Sequence, residues 1–267
     1  MPTDQKQEIP KESSVKIRDN PWLAPSWCKQ PALVLAVIFV VIFLLHAPLL
    51  QLPYFWDEAG YYIPAARDLL LTGTLIPHTT LSSAHPPLVL AWVALWWKCV
   101  GYAPLVTRSA MLLVAAFSLL GLFRLAQRAA NTEVAIAATL CTALHPVFFA
   151  QSSLAQVDLA AAGLTFWGLC AYLEDRPLAV AIWFSLAALA KETGILAPAA
   201  LAGWELLRFV VPKRLVAQVA RENGQDSYQG MPSGMPQAPQ NRRAFRRWIL
   251  GLSSVPTRFL PIRSTRK

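Results

Sequence analysis

The sequence contains few charged residues for its length. Only 15% of the 267 residues are Asp, Glu, Lys or Arg, whereas a soluble domain usually carries about 25%. The shortage is concentrated in residues 31–211, which hold eight basic and nine acidic side chains. With 55% hydrophobic residues overall, this composition excludes an ordinary soluble domain and predicts an all-α integral membrane protein.

Several sequence motifs that identify common enzyme chemistries are also missing. There is no Gly-rich phosphate loop, no HExxH, no CxxC, and no arguable Ser-His-Asp arrangement. The four cysteines are isolated, and most lie in apolar runs, so small buried side chains are favoured over disulfides or zinc ligands. The sequence therefore gives no support to zinc, thiol or P-loop chemistry.

The charge is distributed unevenly along the chain. Residues 1–30 are polar and nearly neutral, whereas residues 212–267 hold eleven basic and two acidic side chains. Beside a hydrophobic body, a basic tail is typical of the cytoplasmic side of a membrane protein and does not call for a nucleic-acid partner. The prediction is a cytoplasmic polar arm (1–30), a transmembrane domain (31–211) and a basic, disordered tail (212–267).

Apolar runs divide the middle of the chain. The first, residues 32–50, has nineteen positions without Asp, Glu, Lys or Arg, long enough to cross a hydrocarbon core about 30 Å thick. Five basic residues precede it, so its N-terminal end is expected in the cytoplasm. Further apolar runs follow at 86–103, 107–123, 133–150, 158–174, 178–190 and 194–211.

The positive-inside rule resolves the one ambiguous run, residues 86–103. If this run lies at the outer surface or is re-entrant, the later basic clusters all fall on the cytoplasmic side. The result is a helical bundle of about six crossings with an external juxtamembrane helical loop. The outer turns then lie near 51–106, 151–157 and 191–193, and the cytoplasmic cations are Arg124, Arg128, Arg176, Lys213 and Arg214.

Three acids could perform chemistry at the outer face. Asp57 and Glu58 follow the first apolar helix directly, within FWDEAGYY. They are either a general base or cation-binding carboxylate at the membrane face, or two solvated loop acids. Asp158 opens an apolar helix on the same side, where it is either functional or a helix-capping residue. The intervening YYIPAARDLLLTG predicts a short amphipathic helix that ends at Gly73.

Three cations accompany these acids. His85 begins an HPPL motif, and Arg108 opens the 107–123 run. Lys191 lies between two apolar runs, where an ionisable side chain is costly unless it is paired. A local ion pair with its neighbour Glu192 is the structural alternative for Lys191.

In combination these features resemble the dolichyl- and polyprenyl-phosphate-sugar glycosyltransferases. The resemblance is to the protein O-mannosyltransferases of family 39 and the related aminoarabinose lipid A transferases. It lies in the acidic pair after the first helix, the HPPL motif, and LAKETG (189–194), which is similar to a Lys-Gly turn with Glu-Thr inserted. It covers roughly residues 32–211 and implies a C-type glycosyltransferase fold.

The resemblance also implies a reaction and a set of residue roles. A sugar would pass with inversion from a polyprenyl-phosphate donor to a protein or lipid-glycan acceptor. Asp57 would take the acceptor's proton, Glu58 would support it, and Asp158 would be the second acid. Asp57 and Asp158 would be candidate ligands of a divalent metal cation. His85, Arg108 and Lys191 would neutralise the departing phosphate.

Two alternatives stay open beside this interpretation. Family members are about twice as long, so the sequence matches only their N-terminal half, and a truncated, inactive fragment or non-catalytic membrane scaffold would look the same. A small-solute transporter is the third possibility; its hallmark would be broken helices and charges at midplane. The expected location is an integral membrane position, of the bacterial inner (plasma) membrane type, with the active site outside.

Overall fold

The structure is a computed structural model, and the residues described are 30–82 and 84–210. Residues 1–29 of the predicted polar arm and the entire predicted tail, 212–267, lie outside the described residues. The described part forms two compact units, divided after Ile195. The first contains every predicted site residue, and the second contributes one described helix.

The described residues are helical and contain no β-strand. The nine α-helices are α1 Pro31–His46, α2 Ile63–Thr72, α3 Leu88–Val100, α4 Pro104–Ala129, α5 Thr132–Leu144, α6 Pro146–Gln151, α7 Asp158–Leu173, α8 Pro177–Ala190 and α9 Leu196–Val210. The other helical segments of the described residues are two 3₁₀ turns (Ala47–Leu49 and Glu192–Ile195) and one π-helical turn (Glu58–Tyr62). The predicted all-α class is confirmed.

Local sequence signals explain where the helices begin and end. Proline stands in the first turn of α1, α4, α6 and α8, where its missing N–H has no helical partner to lose. Asn131 caps α5, because its side chain accepts a hydrogen bond from the Val134 N–H at 2.8 Å. The predicted amphipathic helix before Gly73 is confirmed as α2, and Gly73 ends it in the left-handed conformation (φ 72°).

Two segments have the length and composition of membrane-spanning helices. They are Pro31–Leu49, with 19 residues, and Pro104–Ala129, with 26. Four shorter helices, α3, α5, α7 and α8, are also apolar and have 13 to 16 residues. These four fall short of the roughly 20 residues of a typical straight crossing.

The predicted 133–150 helix is divided into α5 and α6. Pro146 supplies no N–H, and its ring disfavours helical geometry at the preceding residue. His145 accordingly takes an extended conformation (φ −63°, ψ 127°). The apolar run is therefore continuous in sequence, but its helix is interrupted at His145.

Helix α4 is the centre of the first unit and packs against α1, α3, α5 and α7, while α8 packs on α7. The α4–α7 contact is close, because the Ser118 hydroxyl lies 2.9 Å from the Leu159 carbonyl oxygen. A methyl group on Gly163 would lie 2.7 Å from Ser118 Cα. Glycine is therefore required at residue 163 for the two backbones to approach this closely.

Helix α7 has two ends of different character. Asp158 lies at its start and Glu174 directly follows its end, about 24 Å apart at 1.5 Å per residue. Asp158 lies beside the end of α8, whereas Glu174 pairs with arginines from the end of α4 and the start of α8. The candidate site is at the first end.

Candidate active site

Glu58 and Arg108 form a buried ion pair at the start of α4. The Arg108 Nη2 atom lies 3.2 Å from Glu58 Oε2, and the two side chains are 1% and 0% exposed. The second oxygen of Glu58 accepts a hydrogen bond from the Ala155 backbone N–H at 2.7 Å. The possibility that both Asp57 and Glu58 are solvated loop acids is therefore wrong for Glu58.

Arg108 also donates hydrogen bonds to three backbone carbonyls. Its acceptors are Leu52 O at 3.3 Å, Pro53 O at 3.1 Å and Ser153 O at 3.2 Å. One guanidinium thus joins the chain after α1, the start of α4 and the turn before α7. The predicted role of Arg108 in phosphate binding is not visible in this arrangement, in which the guanidinium is enclosed by protein.

Asp57 precedes Glu58 but faces in a different direction. It is exposed, whereas Glu58 is fully buried, because successive residues of a helical turn point about 100° apart. No described residue forms a hydrogen bond or ion pair with Asp57. At the start of the π-helical turn, the Asp57 carboxylate is therefore free at the surface, whereas the Glu58 carboxylate is buried in the core.

Asp158 and Lys191 form the second ion pair. The Lys191 Nζ atom lies 2.6 Å from Asp158 Oδ1, and the two side chains are 22% and 46% exposed. Lys191 follows α8 in an extended conformation (φ −153°), which directs it to the start of α7. The prediction that these distant residues serve one site is consistent with this contact, and the partner of Lys191 is Asp158 rather than its neighbour Glu192.

His85 and Glu192 form a third pair, which joins the HPPL motif to the turn after α8. The His85 Nδ1 atom lies 2.7 Å from Glu192 Oε2, and their side chains are 23% and 54% exposed. The imidazole stacks on the Tyr62 ring at a centroid distance of 6.1 Å. The sequence indicates Glu192 only as a local partner of Lys191, and it does not indicate Tyr62.

Tyr62 lies in a negative electrostatic environment. Burial, followed by the negative charges of Asp57, Asp158 and Glu192, raises the pKa of Tyr62 to about 12. The phenol therefore stays neutral and can donate a hydrogen bond at ordinary pH. The only sequence signal for Tyr62 is its place one helical turn after Glu58, on the same buried face.

A cleft of about 470 Å³ lies along α2 and is partly lined by its residues. Asp68 is buried at its wall and accepts hydrogen bonds from the backbone N–H groups of His78 and Thr79, at 2.6 and 2.8 Å. The Thr79 backbone hydrogen bond is the largest influence that holds the pKa of Asp68 below its usual range. The lining residues are Tyr54, Ala59, Ile63, Pro64, Arg67, Asp68, Leu71, Thr79 and Tyr102.

Few potential ligands for the predicted divalent cation lie together in the described residues. Within the described ranges, no group of three or more His, Cys, Asp or Glu side chains is arranged to hold a metal ion. Asp158 already binds the Lys191 ammonium, whereas a divalent cation such as Mg²⁺ takes about six oxygen ligands. A cation shared by Asp57 and Asp158 stays a prediction.

The structure places five of the six predicted site residues in ion pairs at one end of the helices and leaves Asp57 free. Comparisons with models of protein families, with characterised proteins and with solved structures found no match for this chain. The geometry of its own residues must therefore carry any functional conclusion.

Proposed function

We propose that this chain is an integral-membrane glycosyltransferase, or the N-terminal half of one, acting on a polyprenyl-phosphate sugar at the outer face. The observation that supports it best is the free carboxylate of Asp57 in a turn whose next residue, Glu58, is hydrogen-bonded to the Ala155 N–H, three residues before Asp158. Two exposed pairs, Asp158–Lys191 and His85–Glu192, accompany it. A base can take the acceptor's proton, and the Lys191 ammonium and the His85 imidazole can donate hydrogen bonds to a departing phosphate.

The proposed membrane placement follows the charge distribution. Helices α1, α4, the α5–α6 pair, α7, α8 and α9 are the proposed six crossings, and α3 lies at the outer surface. The two long apolar helices support this placement. It is also supported by Arg124, Arg128 and Arg176, which lie at the opposite end of α7 from Asp158, because cations favour the cytoplasmic side.

In the proposed reaction, the acceptor oxygen attacks the anomeric carbon while Asp57 takes its proton. The bond from that carbon to the phosphate oxygen breaks, and the electron pair leaves with the phosphate. Its developing charge is stabilised by Lys191 and His85 once the phosphate displaces Asp158 and Glu192 from them.

Arg108 has a positioning role in this proposal. Its 1% exposure and its bonds to Glu58 and three carbonyls leave no open face toward a ligand. Glu58 likewise uses one oxygen for Arg108 and the other for the Ala155 N–H. The buried pair holds the turn that presents Asp57, and the predicted phosphate contact passes to His85 and Lys191.

A non-catalytic scaffold is the second candidate, and one observation favours it. Every residue predicted to bind phosphate has a carboxylate partner within the protein. In a scaffold these pairs would serve only to join the external loop to α7 and α8. A transfer assay separates the two candidates.

The experiment measures sugar transfer from a labelled polyprenyl-phosphate sugar in membranes that contain the full chain and its native acceptors. Asp57→Asn should reduce transfer by a factor of about 10² or more, as expected for loss of a general base. Asp175→Asn is the matched control, since Asp175 is exposed, lies beyond the far end of α7, and has φ 55°, which Asn tolerates. Its transfer rate should equal that of the parent.

Two results would contradict the proposal. If Asp57→Asn transfers sugar as fast as the parent, Asp57 is not the base. If the parent transfers no sugar from any polyprenyl-phosphate donor tested, the scaffold becomes the better description.

A further inference from the structure

Three arginines surround one glutamate at the end of the bundle opposite the candidate site. We call this group the arginine cluster: Arg124, Arg128, Glu174 and Arg176. The distances from the Glu174 carboxylate are 2.7 Å to Arg128, 3.6 Å to Arg124 and 3.4 Å to Arg176. Glu174 is 11% exposed, while Arg128 and Arg176 are 51% and 69% exposed. The anion is thus inside and two of the cations open outward.

Glu174 does not satisfy the hydrogen-bonding capacity of these arginines. One carboxylate offers two oxygens, whereas each guanidinium carries five N–H donors. The Nε atom of Arg124 is buried and has no hydrogen-bond partner among the described residues. Asp175 and Glu133 are exposed and form no ion pair with the cluster in the described part of the chain. The cluster itself retains a formal charge of +2.

We propose that the arginine cluster binds the phosphate group of an anionic membrane lipid. A phosphodiester carries one negative charge on two non-bridging oxygens, which an arginine fork can contact with two parallel N–H groups. The cluster lies between the ends of α4, α7 and α8, and basic pockets between membrane helices on the cytoplasmic side are suited to anionic headgroups. The proposal uses the membrane placement given above but not the transferase activity.

Glu174 has a specific part in this site. It gathers three guanidiniums that would otherwise repel one another, and it competes with the lipid phosphate for their N–H groups. Two substitutions should therefore have opposite effects. Removal of an arginine weakens lipid binding, and neutralisation of Glu174 strengthens it. A purely structural ion network would lose stability in both cases and would show no preference among lipids.

The test is a titration of the full chain, in neutral detergent, with short-chain phosphatidylglycerol, with bound lipid counted by native mass spectrometry. Short-chain phosphatidylcholine and inorganic phosphate are titrated in parallel. Arg128→Gln should weaken phosphatidylglycerol binding about fivefold, the effect of one basic residue near an anionic surface. Lys98→Gln is the control for loss of one exposed cation and should change nothing. Glu174→Gln should strengthen binding about fivefold.

Each outcome decides the proposal. It is supported if phosphatidylglycerol binds in preference to phosphatidylcholine and Arg128→Gln, but not Lys98→Gln, weakens it. The proposal is overturned if phosphatidylglycerol and phosphatidylcholine bind equally, or if Arg128→Gln and Lys98→Gln change phosphatidylglycerol binding by the same amount. If inorganic phosphate alone binds as tightly as phosphatidylglycerol, the site takes free anions and the lipid assignment is wrong. The Asp57→Asn assay reports on the transferase separately.

Discussion

The ion pairs at the candidate site fall into two groups that differ in exposure. Glu58–Arg108 is fully enclosed, with side chains 0% and 1% exposed. The Asp158–Lys191 and His85–Glu192 pairs are open, with side chains between 22% and 54% exposed. All three join segments distant in sequence, so separation along the chain does not distinguish them. Access to water does.

This difference divides the site into a fixed part and an exchangeable part. A buried charge that loses its partner keeps the full cost of its desolvation, so opening the enclosed pair is strongly unfavourable. An exposed pair contributes little, because water and other anions compete for both partners. A phosphate can therefore replace Asp158 or Glu192 at low cost, whereas nothing can replace Glu58.

The largest effect expected is from Arg108→Gln. It strands the Glu58 carboxylate in the core and removes donors to three carbonyls, so we expect the protein to lose roughly 3–5 kcal/mol of stability. Thermal unfolding in detergent, followed by circular dichroism, measures the loss. The double variant Glu58→Gln/Arg108→Gln should recover part of it, because no uncompensated charge remains. A single variant as stable as the parent would contradict the division described above.

The next largest effect concerns the contact between α4, which carries Arg108, and α7, which carries Asp158. Gly163→Ala would place a methyl group 2.7 Å from Ser118 Cα, and overpacking of this kind costs roughly 1–3 kcal/mol. Gly203→Ala is the control, because no atom lies within 4 Å of the added methyl. The control should be neutral or stabilising. Equal melting temperatures for Gly163→Ala and the parent would mean that α4 and α7 tolerate separation.

A smaller, local effect is expected at Asp68, an anchor of backbone rather than of another charge. Its lowered pKa means that the carboxylate stabilises the folded loop fully above the ordinary Asp pKa of about 3.9. This stabilisation is lost as pH falls through the lowered pKa. Asp68→Asn should therefore increase amide exchange at His78 and Thr79, with little change in global melting.

The pH dependence sharpens this test. In the parent, protection of these two amides should persist at and above pH 5 and disappear at strongly acidic pH, after correction for intrinsic exchange. In Asp68→Asn the protection should be low at every pH. If parent and variant exchange alike, the side-chain hydrogen bonds do not hold the loop.

The smallest effect on stability is expected from Lys191→Gln, which breaks an exposed pair. The loss should be below about 1 kcal/mol, measured by the same thermal unfolding used for Arg108→Gln. Donor affinity should fall in parallel, since Lys191 is proposed to meet the phosphate. A loss of stability as large as that of Arg108→Gln would remove the distinction between fixed and exchangeable pairs.

Much of the helical framework could be predicted from the sequence, because apolar runs, prolines and Gly73 mark helices and their ends through local physics. The break at His145–Pro146 carried a local signal too, but the apolar run obscured it. The α5–α6 division shows that hydropathy reports burial or lipid contact rather than backbone continuity.

The candidate site was less accessible from the sequence. Asp57, Asp158 and Lys191 can be singled out from the sequence, because each lies at an end of an apolar run on one predicted face. Asp57 is exposed and Glu58 is buried because of the direction in which each residue of a π-helical turn points, and no short sequence pattern specifies that direction. The His85–Glu192 contact joins residues 107 positions apart, so only the packing of α2, α3, α7 and α8 determines it.

The Glu58 contacts also impose an order on the making of this protein. As the chain is synthesised from its N-terminus, Glu58 emerges 50 residues before Arg108 and 97 residues before the Ala155 N–H. Until both have left the ribosome, the segment around Asp57 lacks the contacts that define it. A nascent chain that ends before residue 155 would contain α1 and a Glu58 turn without either of its buried partners.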